Sequence, residues 1–213
     1  MEIFWAKVLD RERLCSSSAE VCRAQLDVTV TPLRLLRLIR VSVVIDDVND
    51  HAPAFPVSYA TMSMYELAPP GSRFPLPVAT DADSGRYRVR DYVLAKSRYF
   101  RLETLGADPP TDLFLVLSAS LDREAAVEHH LKVTACDGGR PRLTAQLDVI
   151  VIVTDANDHA PVFERSVYNA KVTENCAVGT TFMRLYAADQ DEGANGRVVY
   201  SLLKTTPVSN LRV

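Results

Sequence analysis

The chain repeats itself with a step of 108 residues, and no other feature limits its possible folds so much. Asp47-Val48-Asn49-Asp50-His51-Ala52-Pro53 returns as Asp155-Ala156-Asn157-Asp158-His159-Ala160-Pro161. At the same step Glu66 returns as Glu174, Asp81-Ala82-Asp83-Ser84-Gly85 as Asp189-Gln190-Asp191-Glu192-Gly193, and Tyr92 as Tyr200. Leu9-Asp10-Arg11-Glu12 returns as Leu121-Asp122-Arg123-Glu124 at a step of 112, so the stretch between it and the next D-x-N-D motif is four residues longer in the first copy. Self-similarity at a fixed period marks an array of like modules. Counted from these anchors, residues 1–51 are expected to be the C-terminal part of one unit, 52–159 a complete unit, and 160–213 the N-terminal part of a further one.

Inside the complete unit the apolar pattern has period two. Leu143, Ala145, Leu147, Val149, Val151 and Val153 alternate with Thr144, Gln146, Asp148, Ile150, Ile152 and Thr154. Leu131, Val133 and Ala135 alternate with Lys132, Thr134 and Cys136. Alternation of this kind places one side of a strand against a core. Pro69-Pro70-Gly71, Ser84-Gly85, Pro109-Pro110 and Gly138-Gly139 punctuate the runs as turns. About seven short strands in roughly a hundred residues predict an all-β Greek-key sandwich. No long amphipathic helix is expected.

The acids fall at strand ends and turns, grouped as D-x-N-D, D-x-D and D-R-E. Six to eight oxygens from carboxylates, amide carbonyls and backbone suit a hard cation such as calcium. Clustered Asp, Glu and Asn without Cys or His clusters favour calcium over zinc. An EF-hand loop needs Gly at its sixth position and Glu at its twelfth. Counted from Asp81 these are Arg86 and Tyr92, and from Asp189 they are Ala194 and Tyr200, so that loop is excluded. Taken singly, each motif is equally a turn former; several motif types in one register point to a cation site.

DVNDHAP, DANDHAP, both LDRE copies, DADSG, DQDEGANG and ACDGG together resemble the calcium-binding signatures of cadherin repeats, and the resemblance runs over essentially the whole chain. The loop between Cys15 and Cys22, just after the first LDRE, is similar to the cysteine loop of a protocadherin first repeat. The resemblance implies tandem cadherin repeats with three calcium ions at each junction, held by the leading repeat, the linker and the following repeat together. Its first site would use Asp10, Glu12, Asp47, Asn49, Asp50, Asp81, Asp83 and Asp137. Its second would use Glu66, Asp122, Glu124, Asp155, Asn157, Asp158, Asp189 and Asp191. The Glu for the first site and the A-x-D acid for the second fall outside the sequence. Backbone carbonyls of His51, His159 and Asn195 would complete the shells, with Tyr87-Arg88 standing where the third unit has Asn195-Gly196.

The first set contains seven carboxylates. Like charges about 4 Å apart at an effective dielectric near 20 repel by roughly 4 kcal/mol, so without metal the junction should splay and with metal it should lock. The function the resemblance implies is calcium-dependent cell–cell adhesion, homophilic in cis and trans, between cadherin-type ectodomains at the outer face of the plasma membrane. Rival readings are a truncated, non-adhesive product and a calcium-stabilised structural or carbohydrate-binding sandwich. The net charge of −3 argues against nucleic acid. Neither G-x-S-x-G, H-E-x-x-H nor a phosphate loop occurs, so no enzyme and no small-molecule substrate is expected.

Smaller features fit this frame. Residues 1–15 lack the apolar core of a signal peptide, and no stretch reaches the roughly 20 apolar residues of a membrane span. Cys15 and Cys22 could close a small ring or remain two thiols; Cys136 and Cys176 are not expected to pair. Trp5 corresponds to Leu117 and is expected on a mid-repeat strand, and residues 32–40 are expected to be a strand with exposed arginines. His129 and His130 lie next to each other, so on a strand they face opposite sides and are read as half-packed or solvated.

Overall fold

The computed structural model describes residues 7–16, 19, 21–30 and 37–203. In the middle of the chain seven strands form two layers. They are β3 (Tyr59–Tyr65), β4 (Arg73–Leu76), β5 (Val89–Leu94), β6 (Phe100–Leu105), β7 (Asp112–Leu117), β8 (Glu128–Asp137) and β9 (Thr144–Thr154). One sheet has the order β3-β9-β8-β5 and the other β4-β7-β6. All pairings are antiparallel except β3 with β9, which run parallel from Tyr59 opposite Asp148 to Tyr65 opposite Thr154.

The period-two pattern produces this packing directly. Leu147, Val149, Val151 and Val153 on β9 and Leu131 and Val133 on β8 point into the space between the layers, where they meet Met64, Leu76, Phe100, Leu113, Leu115 and Leu117. Each such side chain contributes about 1.5–3 kcal/mol when fully removed from water. Leu143, expected at the start of the last strand, stands just before it. Its N–H is held by Asp137 Oδ2 at 3.0 Å while its carbonyl accepts the Asp137 N–H at 3.2 Å, and the ladder begins one residue later. His129 packs on Tyr99 and Phe100, with ring centroids 4.9 and 5.5 Å away, while His130 is exposed beside Glu128.

Before this sandwich come one helical turn, α1 (Arg11–Leu14), and an antiparallel ribbon of β1 (Cys22–Val30) and β2 (Arg37–Ile45). Cys15 and Cys22 are joined by a disulfide, whereas Cys136 and Cys176 are free. Trp5 and residues 31–36 lie outside the described residues; Leu38–Arg40 are in β2, where the exposed Arg40 pairs with Asp27 at 2.9 Å. After the sandwich a short ribbon pairs β10 (Val162–Phe163) with β11 (Ala187–Ala188). No described helix is long and apolar enough to cross a membrane.

Candidate metal centres at the unit junctions

Residues 46–50 leave β2 and bring Asp47, Asn49 and Asp50 to the end of the sandwich where the 81–87 turn and the β8–β9 turn lie. Asp47 Oδ2 accepts two hydrogen bonds from Ser84, the N–H at 2.6 Å and the hydroxyl at 2.8 Å. Asp81 accepts the N–H of Asp83 at 3.1 Å, which closes the D-x-D turn. Asp83, fully buried, accepts the His51 N–H at 3.2 Å, and His51 Nδ1 sits 2.9 Å from Asp50 and 3.0 Å from Asp83. Glu12 reaches this point from α1, so that donor atoms of Glu12, Asp50, His51 and Asp83 lie within 4.8 Å of one another.

The other candidates stand around this group. Asp10 caps α1 through the Arg13 N–H at 3.0 Å and pairs with the Arg13 side chain. Asp137 is buried with its carboxylate accepting Gly139 and Leu143 N–H groups, both at 3.0 Å. Asn49 donates to the Pro141 carbonyl at 3.1 Å and lies so close to Gly139 that a Cβ there would stand 2.1 Å from its Nδ2.

Crowding acids out of water shifts their titration. Burial, aided by the charges of Asp47 and Asp50, raises Glu12; burial also raises Asp83 and Asp81, the latter helped by Asp137. Asp47 goes the other way. Burial opposes its charge but is outweighed by the two Ser84 hydrogen bonds and the Arg11 guanidinium. His51 is raised, because Asp83 and Asp50 outweigh its desolvation.

The second junction repeats four hydrogen bonds of the first. His159 N–H to Asp191, Asp191 N–H to Asp189, Glu192 N–H to Asp155 and Ala187 N–H to the Tyr200 hydroxyl stand 108 residues beyond His51 to Asp83, Asp83 to Asp81, Ser84 to Asp47 and Ala79 to Tyr92. Asp122 caps its turn through Ala125, as Asp10 does through Arg13. Glu124 is the hub: its carboxylate belongs to one group with Glu66 and Asp122, to another with Asp155 and Asp191, and to a third with Asp158 and His159. Glu66 is buried and accepts the N–H of Arg123 at 2.9 Å and of Ala156 at 2.5 Å, tying β3 to the D-R-E turn and to the linker. Asn157 is exposed.

Among described residues, the buried side-chain oxygens without a hydrogen-bond partner are Glu12 Oε1, Asn49 Oδ1, Asp81 Oδ2 and both oxygens of Glu124; those of Glu12 and Glu124 lie in ion pairs, 3.7 Å from Arg11 and 2.9 Å from Arg123. Every one belongs to the ligand sets read from the sequence. An unsatisfied buried acceptor costs about 1–3 kcal/mol, more when charged. A donor set made wholly of hard oxygens suits calcium, so the residues present fit that ion.

No family model matches the chain. Human protocadherin alpha-6 is 45% identical over 194 residues, covering 91% of this chain and 20% of the relative. Human protocadherin alpha-4 is 44% identical, with 91% and 20% covered. The chain thus spans about a fifth of the length of these curated relatives. Among solved structures, the EC1–3 segment of mouse clustered protocadherin PcdhgC3 superposes with a TM-score of 0.84 at 37% identity, covering 95% of this chain and 64% of that one. Extracellular cadherin domains 1–4 of protocadherin gamma B7 give 0.82 at 38%, with 94% and 48% covered. The chain belongs to the cadherin superfamily. Its β-sandwich units are extracellular cadherin repeats of the protocadherin type.

Several participants in these cadherin junctions were not singled out from sequence. Ser84 is visible only as part of DADSG, and its counterpart is Glu192, so side-chain identity gave no signal for a hydrogen bond the backbone makes in both copies. The rings of His51 and His159, beyond their carbonyls, contact the acids. The turn after each D-x-D motif takes its positive φ at Gly85 (+52°) and Gly193 (+60°), not at the Asn-Gly position. Tyr87 and Asn195 make the same turn bond, to Ser84 and Glu192 respectively, each at 3.1 Å, so Tyr87 imposes no different turn.

Proposed function

We propose that this chain is part of an extracellular adhesive rod in which calcium at each junction locks one repeat to the next. Asp10, Glu12, Asp47, Asn49, Asp50, Asp81, Asp83 and Asp137 would hold the ions at the first junction. Glu66, Asp122, Glu124, Asp155, Asn157, Asp158, Asp189 and Asp191 would hold them at the second. The observation that carries this reading is the gathering of buried oxygens at Glu12, Asn49, Asp81 and Glu124, drawn from the leading unit, the linker and the following unit alike, with Asn49 Oδ1 and Asp81 Oδ2 in neither a hydrogen bond nor an ion pair. Calcium supplies positive charge to carboxylates that otherwise repel; the residues supply geometry, since Glu66, Ser84 and the D-x-D turns hold backbone and carboxylates in place. The carboxylates have a structural and not a catalytic role in this reading. Repeat boundaries at 51/52 and 159/160 follow from it.

The parent protein is proposed to be membrane-anchored with its repeats outside the cell, and to bind other cadherin-type ectodomains, homophilically in cis and trans. The similarity to protocadherins supports this reading. Titration calorimetry checks the metal step. Calcium uptake at millimolar concentration or below is expected, weakened by Asp122→Ala and Asp158→Ala; no heat of binding up to several millimolar would sink it. Small-angle scattering checks the mechanical step, with a longer, narrower particle in calcium than in chelator.

A further inference from the structure

Arginines gather at one corner of the complete unit, beside the first junction but outside its ligand set. The 85–87 turn and the start of β5 supply Arg86, Arg88 and Arg90, and the β8–β9 turn supplies Arg140 and Arg142. Gly138 lets the two segments meet, since a Cβ there would stand 2.0 Å from the Arg86 carbonyl and 2.9 Å from Arg90 Cγ. Arg90 pairs with Asp108 and Arg142 with Asp91. Among the described residues, Arg86, Arg88 and Arg140 enter no ion pair, so positive charge is left over here in a chain whose net charge is −3.

The repeat itself does not require these arginines. At the 108 step Arg86, Arg88 and Arg90 correspond to Ala194, Gly196 and Val198. The third unit nevertheless makes the same turn bond, Asn195 N–H to the Glu192 carbonyl where the second has Tyr87 N–H to Ser84. Their charge therefore serves something other than the turn.

Arg86 and Arg140 line a polar cleft of about 350 Å³ whose other walls include Asn49, Tyr87 and Pro141, and no carboxylate faces it. Small-ligand clefts usually span roughly 300–1,000 Å³. Arg86 is held at its place, because its guanidinium lies 4.7 Å over the Tyr87 ring and donates to the Tyr87 hydroxyl at 2.6 Å. Asn49 ties the linker to the β8–β9 turn beside it through the Pro141 carbonyl. A guanidinium presents a planar fork of N–H donors that fits the oxygens of a sulfate or phosphate two at a time. Arginines from two segments with no acid between them suit an oxyanion and not a cation or an apolar ligand. Outside the cell, the polymers that carry such groups densely are sulfated polysaccharides.

We propose that the cleft between the 85–87 turn and the β8–β9 turn binds a sulfate group of an extracellular sulfated polysaccharide, with Arg86 and Arg140 holding its oxygens from two sides. Neither arginine belongs to the metal-ligand sets, so the site works beside the calcium junction and not through it.

The probe is a heparin hexasaccharide, titrated into the full chain at about 0.1 M salt in calcium and in chelator. Hyaluronan of equal length, which carries carboxylates and no sulfate, and inorganic sulfate are the comparison arms. The heparin fragment is expected to bind at least about tenfold more tightly than either. Arg86→Gln and Arg140→Gln should each weaken it about five- to tenfold in both conditions. Both side chains are exposed, so the fold should be unaffected. Arg101→Gln, an equal loss of charge on the other sheet, should change binding less than about twofold. Amide shifts on binding should concentrate at residues 86–88 and 138–141. No binding of the heparin fragment, hyaluronan or inorganic sulfate binding as tightly, or equal losses from Arg86→Gln and Arg101→Gln would overturn the proposal.

Discussion

The two junctions share a set of hydrogen bonds and differ most in where one arginine goes. At the first, Arg11 turns back to the Ala19 carbonyl (2.8 Å), inside the loop that the Cys15–Cys22 disulfide closes. At the second, Arg123 crosses the linker. Its guanidinium meets Asp155 at 2.6 Å, the Gln190 carbonyl at 3.1 Å and Glu192 at 3.6 Å, so one side chain ties the complete unit to the one after it. Asp155 is held low: desolvation opposes the charge, but hydrogen bonds from Asn195 and the Glu192 N–H, with Arg123 after them, outweigh it. The motif is D-R-E in both places. What differs is the neighbour, a disulfide-bounded loop in one copy and its absence from the other.

The comparison has a second side at the linker amides. Asn49 is wedged between the Pro141 carbonyl and Gly139, whereas Asn157 is exposed. A motif therefore specifies which ligands a junction can present, and the surrounding chain decides how tightly each is positioned.

The largest effect is expected from Glu66→Ala. It leaves the Arg123 and Ala156 N–H groups without their charged acceptor, at about 2–4 kcal/mol in total. Urea unfolding in chelator measures this, and Glu174→Ala, at the exposed counterpart, should stay within about 0.5 kcal/mol of the parent. Equal losses at the two positions would show that burial of Glu66 is not what matters.

Next in size is Gly139→Ala, whose Cβ must displace Asn49. Calcium affinity at the first junction is expected to fall about tenfold, or roughly 1.4 kcal/mol, with the second unchanged. A calorimetric titration resolving two classes of site reads this, and loss at both would break the claim that the junctions act separately.

Arg123→Gln and Arg11→Gln sharpen the central contrast. In chelator, the first should raise amide exchange over residues 156–192 a few-fold while the second leaves that segment alone and loosens the loop around Ala19. Identical exchange patterns would erase the distinction drawn between the junctions.

The smallest effect lies away from both junctions and serves as their control. Burial against Tyr99 and Phe100 lowers the titration point of His129. A histidine whose folded value lies below its unfolded one contributes stability that is fully present above the unfolded value and is lost as pH falls through the folded one. Thermal melting in saturating calcium should therefore show a modest decline below about pH 6.5, removed by His129→Leu. Persistence of the decline in that variant would assign it to the acidic junctions instead.

How much of this was legible in sequence follows from what periodicity can carry. The 108-residue step, the alternation on β8 and β9 and the grouping of the acids are properties of order along the chain, and they determined the module, its sandwich and the oxygen-rich composition of each junction. Leu147, Val149 and Val151 could be assigned to the core without coordinates because period two leaves them one side to face. Only the tertiary structure decided that Ser84 holds Asp47 across 37 residues, that Gly139 is small because Asn49 lies on it, and that Arg123 spans the linker while Arg11 does not. Those outcomes depend on which groups meet after the chain has folded back on itself. Two identical D-R-E motifs carry no record of that, because a guanidinium takes its direction from the acceptors that packing brings within reach.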